Sequence, residues 1–150
     1  MAELYSVNYT KVNISNPSEK IAPGDSNGKM KCLFDEFDLS AALGAGDEIL
    51  LQSLPKGCRV HEVVLEAEAL GGSCSLSLGW KDNGSDVEDD DGFIPATSAA
   101  SAVIVKMSDA AGNAGMMKIM GGESTPFIKA VAASGATSGK IKVGIYFTND

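Results

Sequence analysis

Lys140-Ile141-Lys142-Val143-Gly144-Ile145-Tyr146-Phe147 is the stretch that decides the fold class. Ile141, Val143, Ile145 and Phe147 fall on one side of an extended chain, and Lys140, Lys142, Gly144 and Tyr146 on the other. Successive side chains of a strand point to opposite faces, so this period of two marks a strand with one face in a core. The stretch from Cys74 to Trp80 repeats it, with Cys74, Leu76, Leu78 and Trp80 alternating with Ser75, Ser77 and Gly79. On that pattern the Cys74 thiol and the Trp80 indole face inward. Working outward, residues 4–9, 29–37, 48–54, 103–107, 116–120 and 127–133 are further strand candidates. Turn formers separate them, as at Pro23-Gly24-Asp25, Gly44-Ala45-Gly46, Gly71-Gly72 and Gly121-Gly122. Short strands with turn signals between them indicate an all-β sandwich or barrel. Two short helical turns are expected beside the strands. One covers residues 38–43, capped by Asp38 or Ser40, and the other residues 95–102.

Residues 59–70 support two readings. Val60, Val63, Val64 and Ala67 fit one face of a helix, and Glu, Ala and Leu favour one. With period two, Val63, Leu65, Ala67 and Ala69 oppose Glu62, Glu66 and Glu68. Pattern alone leaves the two even, with the β-rich surroundings favouring a strand.

A length of 150 residues suits one domain able to bury a core without disulfides or metals. Twelve basic residues against twenty acidic ones give a net charge of -8. Binding a phosphate backbone needs clustered positive charge, and here the lysines are scattered singly, so neither nucleic acid nor an anionic membrane is an expected partner. No run reaches the ~18 apolar residues of a membrane span. Met1-Ala2-Glu3-Leu4-Tyr5 lacks the basic and apolar regions of a signal peptide. Cys32, Cys58 and Cys74 are an odd number with no C-x-x-C pair, which reads as buried thiols and neither a disulfide framework nor a zinc site. An intersubunit bridge is the alternative. His61 is the single histidine and reads as a surface or edge residue, because a general base needs a nucleophile and an orienting carboxylate around it. No nucleophile elbow, zinc-binding helix or phosphate-binding loop occurs. No catalytic residue and no cofactor is expected.

The acidic run Asp82-Asn83-Gly84-Ser85-Asp86-Val87-Glu88-Asp89-Asp90-Asp91-Gly92 is the most conspicuous local composition. It supplies the oxygens that calcium takes, with Asp86, Glu88 and Asp90 as candidate ligands, but not the EF-hand register. Counted from Asp86, Asp91 stands where the glycine belongs and Thr97 where the glutamate belongs. A solvated hairpin loop is the simpler reading.

Leu54-Pro55-Lys56-Gly57-Cys58-Arg59-Val60, then Leu78-Gly79-Trp80, then Asp91-Gly92-Phe93-Ile94 follow one another in an order that resembles small structural proteins of tailed bacteriophages. Tyr5 with Tyr9 and the Ile145-Tyr146-Phe147 strand fit the same layout. The resemblance is to head decoration (cement) or other accessory virion proteins. It implies a single β-sandwich or jelly-roll-like domain over residues 1–150, and it tips residues 59–70 toward strand. It further implies synthesis in the host cytoplasm, a place on the capsid exterior, the major capsid protein as partner, and a homo-oligomer, with a trimer as the expected form. Many weak contacts repeated by capsid symmetry then add up to firm attachment. A tail or baseplate accessory protein and a receptor- or carbohydrate-binding sandwich are the competing readings.

Overall fold

The computed structural model describes residues 28–110 and 113–149, together with Lys11 and Ile14. The strand candidate at residues 4–9 lies outside them. Eight strands follow in order: β1 (Lys31–Leu39), β2 (Glu48–Leu50), β3 (Cys58–Ala67), β4 (Ser75–Trp80), β5 (Asp89–Ser98), β6 (Val103–Lys106), β7 (Pro126–Ala132) and β8 (Gly139–Asn149). They form two four-stranded sheets, ordered β1-β8-β3-β6 and β2-β7-β4-β5, with every pairing antiparallel. The neighbours β1–β8, β2–β7, β3–β6 and β4–β5 show the logic of the path. The first four strands pair with the last four in reverse order, as in one long hairpin, and alternate rungs fall into opposite sheets.

The core lies between the sheets and is filled by the alternating residues that the sequence marks. Ile141, Val143 and Ile145 from β8 are fully buried, as are Leu76 and Leu78 from β4 and Ile128 and Ala130 from β7. Trp80 is buried too, packed edge-on against Phe93 with ring centroids 4.9 Å apart. Its indole N–H donates to the Val87 carbonyl at 2.9 Å. Gly92 makes room for it, since a Cβ there would stand within the Trp80 ring atoms.

Residues 59–70 are strand as far as Ala67. The register of β3 against β8 slips between Val60 and Glu62, so His61 is the extra residue of a bulge. Val60 faces the core before the bulge, and Val63, Leu65 and Ala67 face it after. The three-residue step from Val60 to Val63 that imitates a helix is therefore a change of strand phase.

Two expected helical turns are corrected. Residues 38–43 are not helical, because Leu39 closes β1 as a buried residue and the Leu43 N–H donates to Ala136. Residues 95–102 begin as the end of β5, where Thr97 and Ser98 pair with Leu76 and Ser75. From Gly28 onward, the one helical turn among the described residues is a 3-10 turn at Met107–Asp109. Residues 116–120 make only an isolated bridge, Ile119 to Arg59. Met117 adopts φ 58°, a left-handed conformation that a strand cannot contain.

Candidate interaction surface

His61 Nε2 lies 2.9 Å from Thr148 Oγ1, and Thr148 is buried, so the contact ties the β3 bulge to β8. Glu62 beside it accepts from the Val63 and Ser108 backbone N–H groups. Cys58 and Cys74 are buried, as expected of small core thiols, and burial raises the Cys74 pKa above its ordinary value, away from reactivity. Cys32 departs from that reading: it is exposed on β1.

The three candidate calcium ligands go to three different lysines. Asp86 Oδ1 pairs with Lys118 Nζ at 2.8 Å, Glu88 with Lys81 at 3.3 Å, and Asp90 with Lys129. Asp86 is the most enclosed, accepting also from Asn83 Nδ2 at 2.9 Å and the Gly121 N–H at 2.8 Å. Burial works against its charge, but these donors outweigh burial and hold its pKa below the usual carboxylate range. Lys118 also stands 5.2 Å above the Trp80 ring. The acid thus fastens residues 118–121 onto the β4–β5 turn. Asp90 is brought instead to Asp89 and Asp91, whose carboxylate oxygens lie within 4.8 Å of one another. The hydrogen bond between Asp89 and Asp91, then burial and the nearby charges, hold Asp91 above the usual range. These three stand at the start of β5, not in a free loop.

Exposed apolar side chains gather elsewhere, on the outer face of the β1-β8-β3-β6 sheet. Cross-strand neighbours there run Phe34–Gly144–Val64 and Cys32–Tyr146–Glu62, with Glu36–Lys142–Glu66–Ile104 alongside. Phe34 is 63% exposed, Ile104 64% and Tyr146 39%. Gly144, lacking a side chain, leaves the Tyr146 ring lying across the strand. The result is a shallow apolar stripe rimmed by alternating charges. It reaches the edge of the described sheet at β1. Beside it, between β1 and β2, an open cleft of about 460 Å³ is lined by Phe37, Leu39, Leu43, Asp47, Ile49 and Leu50 among others. Alternation in β8 made half of this surface legible. Phe34 and Ile104 belonged to weaker strand candidates, and only the pairing of β1 with β8 and β3 with β6 brings them onto one face.

No protein-family model and no curated protein matches the chain. Solved structures do match in fold. A chain of the capsid of Ralstonia phage GP4 superposes with a TM-score of 0.68 at 18% identity, over 82% of this chain and 86% of that one. A chain of the cyanophage Pam1 capsid asymmetric unit gives 0.65 at 20%, over 91% and 96%. A chain of the acid-stable capsid of Helicobacter pylori bacteriophage KHP30 gives 0.55 at 17%, over 81% and 89%.

Proposed function

We propose that this chain is a structural component of a phage virion, mounted on the exterior of the capsid by contacts with major-capsid subunits. The observation that carries the reading is the fold match to chains of three phage capsids, over 81–91% of this chain and 86–96% of the others. A match of that extent means the neighbouring chains are of similar length, each little more than one such sandwich. A subunit of this kind suits attachment to an existing shell. The strand order 1-8-3-6 over 2-7-4-5 supports naming the fold a jelly roll, an architecture that recurs in viral capsid domains. The exposed stripe supplies a contact surface, and the absence of a basic cluster suits the outside of a shell better than its DNA-filled interior.

The test is attachment. Tagged protein is mixed with mature heads, and purified particles are probed for the native chain. Binding at a copy number set by the capsid lattice is expected. Absence from purified virions together with failure to bind heads overturns the proposal. Labelling on intact particles separates head from tail, and hits on a glycan array would favour the carbohydrate-binding alternative.

A further inference from the structure

A sandwich has four sheet edges, each a row of backbone groups able to pair with another strand. Three of them are unsuited to it. Strands β2 and β6 are three and four residues long. Strand β5 is broken by two register shifts against β4, contains Pro95, and opens with three aspartates. Strand β1 differs: its nine residues run in unbroken register with β8, and among the described residues β8 is its one partner strand. The Glu36 N–H donates to the carboxylate of the preceding residue, Asp35 Oδ1 at 3.0 Å. It is a donor turned aside rather than joined to a ladder.

The charges along this edge are polarised. Lys29 and Lys31 stand at its beginning, and Asp35, Glu36 and Asp38 at its end, where Lys140 of β8 offsets part of the negative charge by pairing with Glu36 at 3.6 Å and Asp38 at 3.5 Å. Both lysines are exposed, as are Phe34 at the middle and Met30. A strand with one basic and one acidic end complements itself when reversed.

We infer that β1 pairs antiparallel with β1 of a second copy around a two-fold axis at Phe34, joining two four-stranded sheets into one of eight strands. In that register Phe34 meets its own equivalent, Cys32 lies opposite Glu36, Met30 opposite Asp38, and Lys31 opposite Phe37. Residues opposite one another keep the same face, as the pleat demands. On the inner face Lys31 lies one diagonal step from Asp35 of the other copy, twice, whereas Glu36 and Asp38 lie on the outer face, where Lys140 of β8 pairs with them. Lys29 and Lys31 come into the row of Phe37 and Leu39, beside the cleft that Asp47 helps to line. The apolar stripe continues across the axis through the paired Phe34 rings. A three-fold ring, the arrangement expected from the resemblance, would set each β1 against a different edge, and the only other long one carries Asp89–Asp91. The length and unbroken register of β1, with the Lys31–Asp35 diagonal, therefore select the two-fold pairing. The inference stands on the edge alone and does not depend on a virion role.

Cross-linking of the full-length protein tests it. Opposed residues of a hydrogen-bonded antiparallel pair have Cα atoms ~5.5 Å apart, within disulfide reach. Glu36→Cys should therefore cross-link through native Cys32 to a covalent dimer under mild oxidation. Asp38→Cys, one diagonal step away at ~7–8 Å, should do so about tenfold more slowly. Phe34→Lys, with an unchanged circular dichroism spectrum, should weaken dimerisation at least about tenfold, as charged gatekeepers do on sheet edges. A protein that sediments as a monomer at every concentration up to 100 µM, as it would if its own residues 1–27 covered the edge, overturns the inference. So does a dimer that survives Phe34→Lys and cross-links equally at both positions.

Discussion

Replacing Asp86 with alanine should cost the fold more than any other change in the acidic run. The side chain is 9% exposed and accepts from Lys118 Nζ, Asn83 Nδ2 and the Gly121 N–H. Hydrogen bonds to a charged group contribute roughly 1.5–3 kcal/mol each when the partner cannot turn to water. The full sum does not apply. Lys118 is a quarter exposed and can rehydrate, and Asn83 lies on the same surface turn. The Gly121 N–H has least freedom, because it is main chain. A net loss of about 2–4 kcal/mol follows, which in a chain of this size lowers Tm by about 6–12 °C. Asp86→Asn keeps an acceptor for Gly121 and loses only the charge, so it should fall between wild type and alanine. The assay is urea denaturation followed by Trp80 fluorescence, repeated across pH. The sign is fixed by the depressed pKa of Asp86 in the fold. Its contribution is complete above the unfolded value of about 3.9 and fades as pH falls through the lower folded value. The gap between wild type and Asp86→Ala should thus be constant from about pH 5 upward and close below about pH 4. A loss under about 1 kcal/mol at pH 7, or a gap unchanged at pH 2.5, would refute the account of Asp86 as the fastening of this end.

Three further outcomes are expected. Gly92→Ala should destabilise by about 1–3 kcal/mol and shift Trp80 emission, because the new Cβ displaces the indole and crowds Asp89 Cγ at 2.9 Å; an unaltered emission maximum counts against the packing described. Asp91→Asn should stabilise slightly at neutral pH, by a few tenths of a kcal/mol. The raised folded pKa of Asp91 makes its ionisation a native-state cost that is present above that pKa and absent below the unfolded one, so the gain should vanish by about pH 3. Chelation of divalent ions should leave Tm within about 1 °C, since Asp86, Glu88 and Asp90 already have lysine partners; a fall of several degrees would establish a structural calcium ion.

The elements that were legible are those whose core face is set by side chains within the strand itself. β8 and β4 alternate in sequence; burial follows that alternation from Lys140 to Phe147 in β8, while in β4 Leu76, Leu78 and Trp80 are buried as the pattern requires but Ser77 and Gly79 are buried as well. What failed did so where a distant contact or a backbone irregularity overrides local preference. Residues 59–70 carry a bulge at His61, and a change of phase within a strand is indistinguishable, in spacing, from a turn of helix. Residues 38–43 have helix-compatible composition, yet the Leu43 N–H donates to the Ala136 carbonyl, a partner that no window around Asp38 contains, and the Gly44 N–H donates to the Asp47 carboxylate just beyond the segment. At 116–120 the apolar run is real, but the left-handed Met117 leaves Met116, Met117 and Ile119 exposed beside the β3 bridge.

The same distinction governs the surface. The acidic run dominates the composition, and a reader of the sequence looks there first for a ligand. In the fold half of its carboxylates are taken by lysines: Lys81, shared with Glu48, serves Glu88, Lys118 serves Asp86, and Lys129 serves Asp90. Those lysines come from other segments, so a net charge of -8 says little about where free charge remains. Residues 29–38 attract less notice, since their two lysines and three acids nearly cancel. Lys140 takes up part of the charge of Glu36 and Asp38 there as well, and what survives as directional information is the order of the segment along a straight edge that is bonded on one side only among the described strands. Composition identified the segment that holds the molecule together, and strand order identifies the one that can hold two molecules to each other.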